Sequence, residues 1–394
     1  MLRFAKLGRD LPWPLLASAA GLMTVGLLAI SRSAELASGS GRFVGQQAAW
    51  CVVATFAAGV VLLPNYRGLR TWTLGAFGLG LLALMAVYWF PPINGAQRWI
   101  RLGPIGFQPS EFVKVVYVAA LADFLAMRGS VASLPALVAP LLVSLLPMVL
   151  ILREPDLGTS LVFGPVLMAM LYVAGTTRRQ FATLIAGCCV LAPVLWTQMS
   201  QEQRSRVTSL FQQTETGARP SADGYQLRQS KQLIALGGVL GSYWAGEPSD
   251  DRAAYHLPES HTDFVFSVVG ERYGWWGMAM VLAMYGAIVW QSIAIAQHTR
   301  EPFGRLIGAG VAALFATQAI INTAMTVGLL PVTGLSLPLV SYGGSGLLAH
   351  AVALGLVANV ALHPGYEVGS APFRPVSRQA RRAFARRTSI SSRT

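Results

Sequence analysis

About ten apolar runs follow one another along this chain, each close to the roughly 20 residues that a helix needs to cross a hydrocarbon core. They cover Pro14 to Ile30, Ala48 to Leu63, Trp72 to Phe90, Phe112 to Ala126, Leu134 to Leu152, Leu157 to Ala174, Phe181 to Met199, Phe264 to Ile295, Leu306 to Leu330 and Leu347 to Leu362. Inside lipid each backbone N–H and C=O must be paired within the protein, which restricts such runs to helices. Hydrophobic residues are 54% of the chain and charged residues only 12%. The fold class expected is therefore an all-α polytopic membrane protein. The eighth run is long enough to tilt or to begin outside the bilayer.

Ten spans put both termini on one side, and the basic residues choose which. Cytoplasmic loops retain Lys and Arg. With the termini inside, the inner segments carry Arg3, Lys6 and Arg9, Arg67 and Arg70, Arg128, Arg178 and Arg179, Arg300 and Arg305, and an Arg-rich tail. The net charge of +13 is then a topology signal with affinity for anionic headgroups, and no nucleic-acid partner is expected. Residues 1–367 are expected to form one transmembrane domain with an outer loop at about 200–262. Residues 368–394 are expected to be a disordered basic cytoplasmic tail. Cys51, Cys188 and Cys189 lie in apolar runs without metal-ligand or disulfide spacing. The first run lacks a small-residue cleavage site and is expected to stay as a span.

This topology sends four Pro-, Gly- and polar-rich segments to the outer side: 91–109, 153–156, 200–262 and 331–346. Asp263 closes the longest of them, directly before an apolar run, and carboxylates at such a boundary tend to mark chemistry. Glu111 and Lys114 are three apart in Gln108-Pro-Ser-Glu-Phe-Val-Lys114, so they share a helical face and can pair. That pair is read either as a structural bridge or as a contact to an anionic substrate. Asp156 stands where a helix N-cap is expected, with a functional role as the alternative. Arg98, Arg101 and Arg153 could grip a diphosphate or lipid headgroups. The stretch Tyr225 to Gly237 is loosely amphipathic, with Arg228 and Lys231 on its polar side, which suggests an interfacial helix near a lipid-linked phosphate. Asn322 is expected to bond between helices.

Five ordered motifs carry a resemblance: Gly95-Ala-Gln-Arg-Trp-Ile100, Gln108 to Lys114, Pro155-Asp-Leu-Gly-Thr159, Leu257-Pro-Glu-Ser-His-Thr-Asp-Phe-Val-Phe266, and Leu329 through Ser345. Together they resemble the SEDS family of shape, elongation, division and sporulation proteins, which includes RodA and FtsW. Tyr225-Gln-Leu-Arg-Gln-Ser-Lys231 looks closer to RodA.

The resemblance implies a SEDS fold and a peptidoglycan glycosyltransferase. Such an enzyme polymerises lipid II, an undecaprenyl-diphosphate-linked precursor, at the outer face of the cytoplasmic membrane during cell elongation. Asp263 matches the family's essential aspartate and would be the general base. Glu111, Lys114, Asp156, Arg98, Arg101, Lys231, His261 and Ser345 would bind substrate or support the site. A divalent cation, Mg or Mn, is an expected cofactor with no ligand set identified. The implied partners are a class B penicillin-binding protein and the elongation or division machinery. An FtsW-like septal glycosyltransferase, a lipid II flippase and a non-catalytic scaffold are the alternatives. Departures from the family pattern are Glu154 where Gln is usual, Arg272 where a second acid is common, and the Gly241 to Tyr255 stretch.

Overall fold

A computed structural model gives the protein at residues 11–36, 42–92, 97–102, 105–128, 133–211, 222–246, 255 and 257–363. The tail 368–394, Gly95 and Ala96 of the first motif and His256 lie outside these described residues.

Helices α1 (Trp13–Leu36), α2 (Arg42–Leu62) and α3 (Tyr66–Val87) precede a short antiparallel hairpin, β1 (Ile100–Leu102) and β2 (Ile105–Phe107), in which Ile100 pairs with Phe107. Helices α4 (Pro109–Met127), α5 (Leu134–Arg153), α6 (Leu157–Val173) and α7 (Arg178–Gln198) follow. The polar stretch then holds α8 (Gln201–Phe211) and α9 (Ala222–Gly237), and the chain ends with α10 (Val265–His298), α11 (Pro302–Thr326) and α12 (Gly344–Leu362).

Among the described residues, α1, α2, α3, α5, α10, α11 and α12 are long and apolar enough to cross a membrane. Helix α6 is apolar but only 17 residues long, α4 carries Glu111, Lys114 and Asp123, and α7 opens on Arg178 and Arg179. With those three, every expected span has its helix. Helices α11 and α12 are the most buried and α2 the least, so the core runs along α11 and α12 while α2 shows most of its surface outward. Such an apolar rim suits lipid contact.

Helix starts follow local chemistry. Pro109 opens α4, where its missing N–H costs nothing, and Asp156 caps α6 by accepting from the Thr159 backbone N–H at 3.0 Å. The long eighth run is two helical pieces: Gly274, at φ +63°, breaks α10 one turn beyond Glu271. A Cβ there would lie 2.4 Å from the Val239 carbonyl oxygen, so the break lets the loop after α9 press against α10. Glu271 is fully buried and takes a bidentate bond from Arg32 of α1, at 3.1 and 2.7 Å. Arg272, the departure from the family pattern, lays its guanidinium over the Tyr243 ring at 4.9 Å.

Helix α9 lies in the long polar stretch, where a helix was expected. It packs on α10 through buried Leu227, Ser230 and Leu233, and the Ser230 hydroxyl donates to the Thr326 carbonyl at 2.7 Å. The apolar side of the amphipathic pattern is thus the side packed on the bundle, with the small Ser230 at the crossing.

Candidate active site

All four polar segments expected on one side meet at one end of the bundle around a cavity of about 400 Å³. Arg98, Trp99 and Glu111 line it from the first segment and α4, and Pro155 and Thr159 from the start of α6. Arg206, Glu259 and Asp263 come from the long stretch, and Val332 to Leu347 close the far wall.

Asp263 sits at the end of a tight turn, its N–H donating to the Glu259 carbonyl at 3.1 Å. Three consecutive carbonyls of this turn are stitched to other elements. The Tyr342 N–H donates to His261 at 2.9 Å, the Ser341 hydroxyl to Thr262 at 2.5 Å, and Asn322 Nδ2 to Asp263 at 2.8 Å. Asn322 also donates to Leu335 at 2.6 Å, so one buried amide bridges α11, the Asp263 turn and the 331–343 loop. In place of the expected bond between helices, Asn322 ties α11 to two loops, so the backbone that aims Asp263 is fixed while its carboxylate faces the cavity.

Burial pushes the Asp263 carboxyl up to about 7, helped by the negative charges of Glu259 and Asp156 and opposed by Arg98 and Arg206. A base with that value is half-ionised near neutral pH, the range in which proton abstraction is most efficient.

Glu111 and Lys114 pair at 2.8 Å and are both buried. Lys114 is wholly enclosed, so its charge stabilises Glu111 instead of reaching a substrate. The second Glu111 oxygen has no hydrogen-bond partner, lines the cavity, and lies 4.0 Å from His350 Nδ1. A buried carboxylate oxygen left open in this way is a ready acceptor for a ligand hydroxyl or amide.

Arg98 clamps the turn before α6. Its Nε donates to the Glu154 carbonyl at 3.0 Å, its Nη2 to the Pro155 carbonyl, and its Nη1 stands 4.0 Å from Asp156. Asp156 spends both oxygens on Thr159, which makes it foremost a cap. Glu154 is fully buried with neither carboxylate oxygen paired, and burial together with Asp156 raises it to about 8. A neutral acid there takes the place of the amide usual in the resembling family.

The other expected residues separate. His261 stacks on Phe43, ring centroids 5.0 Å apart, and tilts against Tyr342, with burial lowering its basicity. It supports the turn and is not part of the cavity lining. Ser345 accepts from the Gln108 N–H at 3.1 Å and donates to the Gly106 carbonyl at 3.2 Å, pinning the hairpin to α12. Arg101 is exposed on β1, and Lys231 on α9 is outside the lining. The sequence reading missed Arg206, Glu259 and His350. Glu259 was visible inside the Leu257 to Phe266 motif, four residues before Asp263, whereas no motif distinguishes Arg206 or His350.

Among the described residues no three His, Cys, Asp or Glu side chains converge as a ready-made metal cage. Glu259 and Asp263 line the cavity, whereas Asp156 is outside the lining and gives both oxygens to Thr159. Mg²⁺ commonly takes one or two carboxylates and completes its shell with substrate phosphates, but Asp263 is needed free as the base and Asp156 caps α6, so the described residues do not supply that mode of binding.

Known proteins resemble this chain in sequence and fold. The sequence profile of the cell cycle proteins FtsW, RodA and SpoVE matches residues 11–365. The FtsW protein of Halorhodospira halophila is 34% identical over 380 residues, covering 93% of either chain. The peptidoglycan glycosyltransferase MrdB of Escherichia coli is 32% identical over 294 residues, 74% of this chain and 78% of that one. The crystal structure of the rod shape determining protein RodA of Thermus thermophilus superposes with a TM-score of 0.66 at 27% identity, covering 89% of this chain and 97% of the other. A chain from a peptidoglycan synthase complex that coordinates polymerization and crosslinking superposes with a TM-score of 0.76 at 28% identity, covering 89% and 98%. On a match that spans nearly all the helices and every segment around the cavity, the chain belongs to the FtsW/RodA/SpoVE family, the SEDS proteins.

Proposed function

We propose that the protein is a peptidoglycan glycosyltransferase that polymerises lipid II at the outer face of the cytoplasmic membrane. The observation that carries this reading is Asp263, a carboxylate held by its backbone at a cavity and raised to about 7. In the reaction, the acceptor sugar hydroxyl attacks the anomeric carbon of the diphosphate-linked donor while Asp263 takes the hydroxyl proton. Glu111, through its open oxygen, would orient a donor group of the substrate. The glycosyltransferase name of the E. coli relative supports the chemistry.

The basic residues at the opposite end of the bundle, Arg67, Arg70 and Arg305 among them, support an inward position for that end and an outward cavity. A class B penicillin-binding protein is the proposed partner, in keeping with the synthase-complex neighbour. Elongation is the favoured setting on the Tyr225 to Lys231 segment. A septal role is the second reading, favoured by FtsW relatives that align at 33–34% identity beside MrdB at 32%.

The test is reconstitution with the cognate penicillin-binding protein and labelled lipid II, comparing wild type with Asp263→Asn. Glycan polymer from wild type and none from the variant, both complexes intact, is the expected result. Equal polymer from both would remove Asp263 from the chemistry, and none from either would favour transport or scaffolding.

A further inference from the structure

Helix α2 is the least buried of the long apolar helices, yet one side of its first turns is fully engaged. Phe43, Gln46, Gln47 and Trp50 follow the i, i+3, i+4, i+7 spacing of a single helical face. All four meet the end of the loop that joins α11 to α12. Phe43 packs edge-on against Tyr342, ring centroids 5.2 Å apart, and Gln46 Oε1 accepts from the Tyr342 hydroxyl at 2.7 Å. Trp50 lays its indole on Gly344, where any side chain would run into the ring.

Gln47 is the buried centre of this face, 1% exposed. Its Nε2 donates to the Ser341 carbonyl at 3.1 Å, and its Oε1 accepts from the Gly343 N–H at 3.2 Å. A carbonyl on one side and an N–H on the other fix which way the amide points. Gly343 is the N-cap of α12 and has no side chain with which to cap it, so part of the polar satisfaction of this helix start comes from α2. The residues that Gln47 grips are the ones that hold the Asp263 turn. Ser341 donates its hydroxyl to the Thr262 carbonyl, and Tyr342 donates its N–H to the His261 carbonyl. Gln47 itself is outside the cavity lining.

We propose that Gln47 is a positioning residue for the reaction: it fixes residues 341–343, and through them the backbone that aims Asp263. Its effect on the turn rests on the hydrogen bonds, and its effect on rate rests on the glycosyltransferase reading. Asp263 has to meet the acceptor hydroxyl within hydrogen-bond reach to take its proton. A misplacement of about 1 Å is enough to cost about a hundredfold in rate. Without the Gln47 amide, the Ser341 carbonyl and the Gly343 N–H lose their partner, and the loop can settle only by shifting the turn it is bonded to.

The experiment uses the full chain with its penicillin-binding protein in nanodiscs, labelled lipid II for turnover, and hydrogen exchange read by mass spectrometry for the two loops. Gln47→Met keeps the length of the side chain and removes both bonds. It is expected to lower kcat about ten- to a hundredfold with KM within about twofold of wild type. The rising limb of its pH profile should move to lower pH, because water reaching the Asp263 carboxyl relieves its burial. The charged groups facing that carboxyl are Glu259 in its own turn, Asp156 at the α6 start, Arg98 and Arg206, and the substitution leaves all four in place. Exchange at 259–263 and 337–343 should quicken about tenfold, the scale of a lost hydrogen bond, with α3 unchanged. Val52→Ala, at a position 72% exposed on the same helix, should match wild type throughout. Gln46→Met, which removes the bond to Tyr342 from a half-buried position, should shift the same readouts by less, and decides the question should Gln47→Met fail to fold.

Unchanged exchange in the two loops would overturn the assignment, whatever the rate does. So would faster exchange throughout the chain with the pH limb in place, which would make Gln47 ordinary packing. If wild type forms no polymer, the glycosyl-transfer reading falls and exchange alone decides whether Gln47 holds the turn. If wild type polymerises and Gln47→Met matches it in kcat and pH limb, only the positioning role falls.

Discussion

The two ends of this bundle hold the same kinds of charged residue and treat them in opposite ways. At the end away from the cavity, Glu301 accepts from Tyr66 Oη and Arg67 Nε, both at 2.7 Å, and Asp123 accepts from Arg70 and the Thr73 hydroxyl. Those carboxylates are used up in joining α3 to α11 and α4. At the cavity end one oxygen of Glu111 and both of Glu154 lack partners, and the Asp263 carboxylate lines the cavity. Unpaired buried polar groups cost stability, so a fold keeps them only where something else uses them. The contrast separates charges that hold helices from charges that await a ligand.

The largest effect is expected where both roles meet. Lys114→Met strands the Glu111 carboxylate in the interior, and removing one partner of a buried pair costs about 3–5 kcal/mol. The variant should lose polymer formation and melt far lower in a thermal scan. The contrast would break if it stayed as stable as wild type.

Glu301→Gln, at the other end, is expected to lower stability by about 1 kcal/mol or less, since that pair is partly exposed. Its turnover, measured in the reconstituted synthase, should remain that of wild type. A selective fall in turnover with stability unchanged would give the far end a role in chemistry.

A smaller and pH-dependent effect is expected at Glu154. Its native value, about 8, lies above the ordinary carboxylate range, so the folded protein holds the proton more tightly than the unfolded chain does. Stability should therefore fall as pH rises from about 5 toward 8, and Glu154→Gln should flatten that slope. Melting curves across this range decide it, and an unchanged slope would show that Glu154 does not carry the dependence.

Much of this division was legible in the sequence. Apolar length located the helices, because lipid leaves a chain few other ways to satisfy its backbone. Pro109 and Asp156 announced the helix starts they make, and Asp263 stood out as an acid entering an apolar run. What was not legible depends on distant pairings. Arg98 reads as a free cation until the Glu154 turn, more than fifty residues on, consumes its donors. His261 reads as a site residue until Phe43 stacks against it. Arg206 lies in a polar stretch with no periodicity to set it apart, and only the folding of α8 over the cavity places it beside Gly334.

The most direct measurement is the pH profile of lipid II polymerisation by wild type and Glu259→Gln. Asp263 must be ionised to accept a proton, so the rate should rise with pH through about 7. Glu259 raises that value by charge repulsion, and its neutralisation should move the rising limb to lower pH while the plateau rate remains. A rate that is flat between pH 5 and 8, a range set by the expected titration near neutrality, would contradict Asp263 as the base. So would a limb that Glu259→Gln leaves in place.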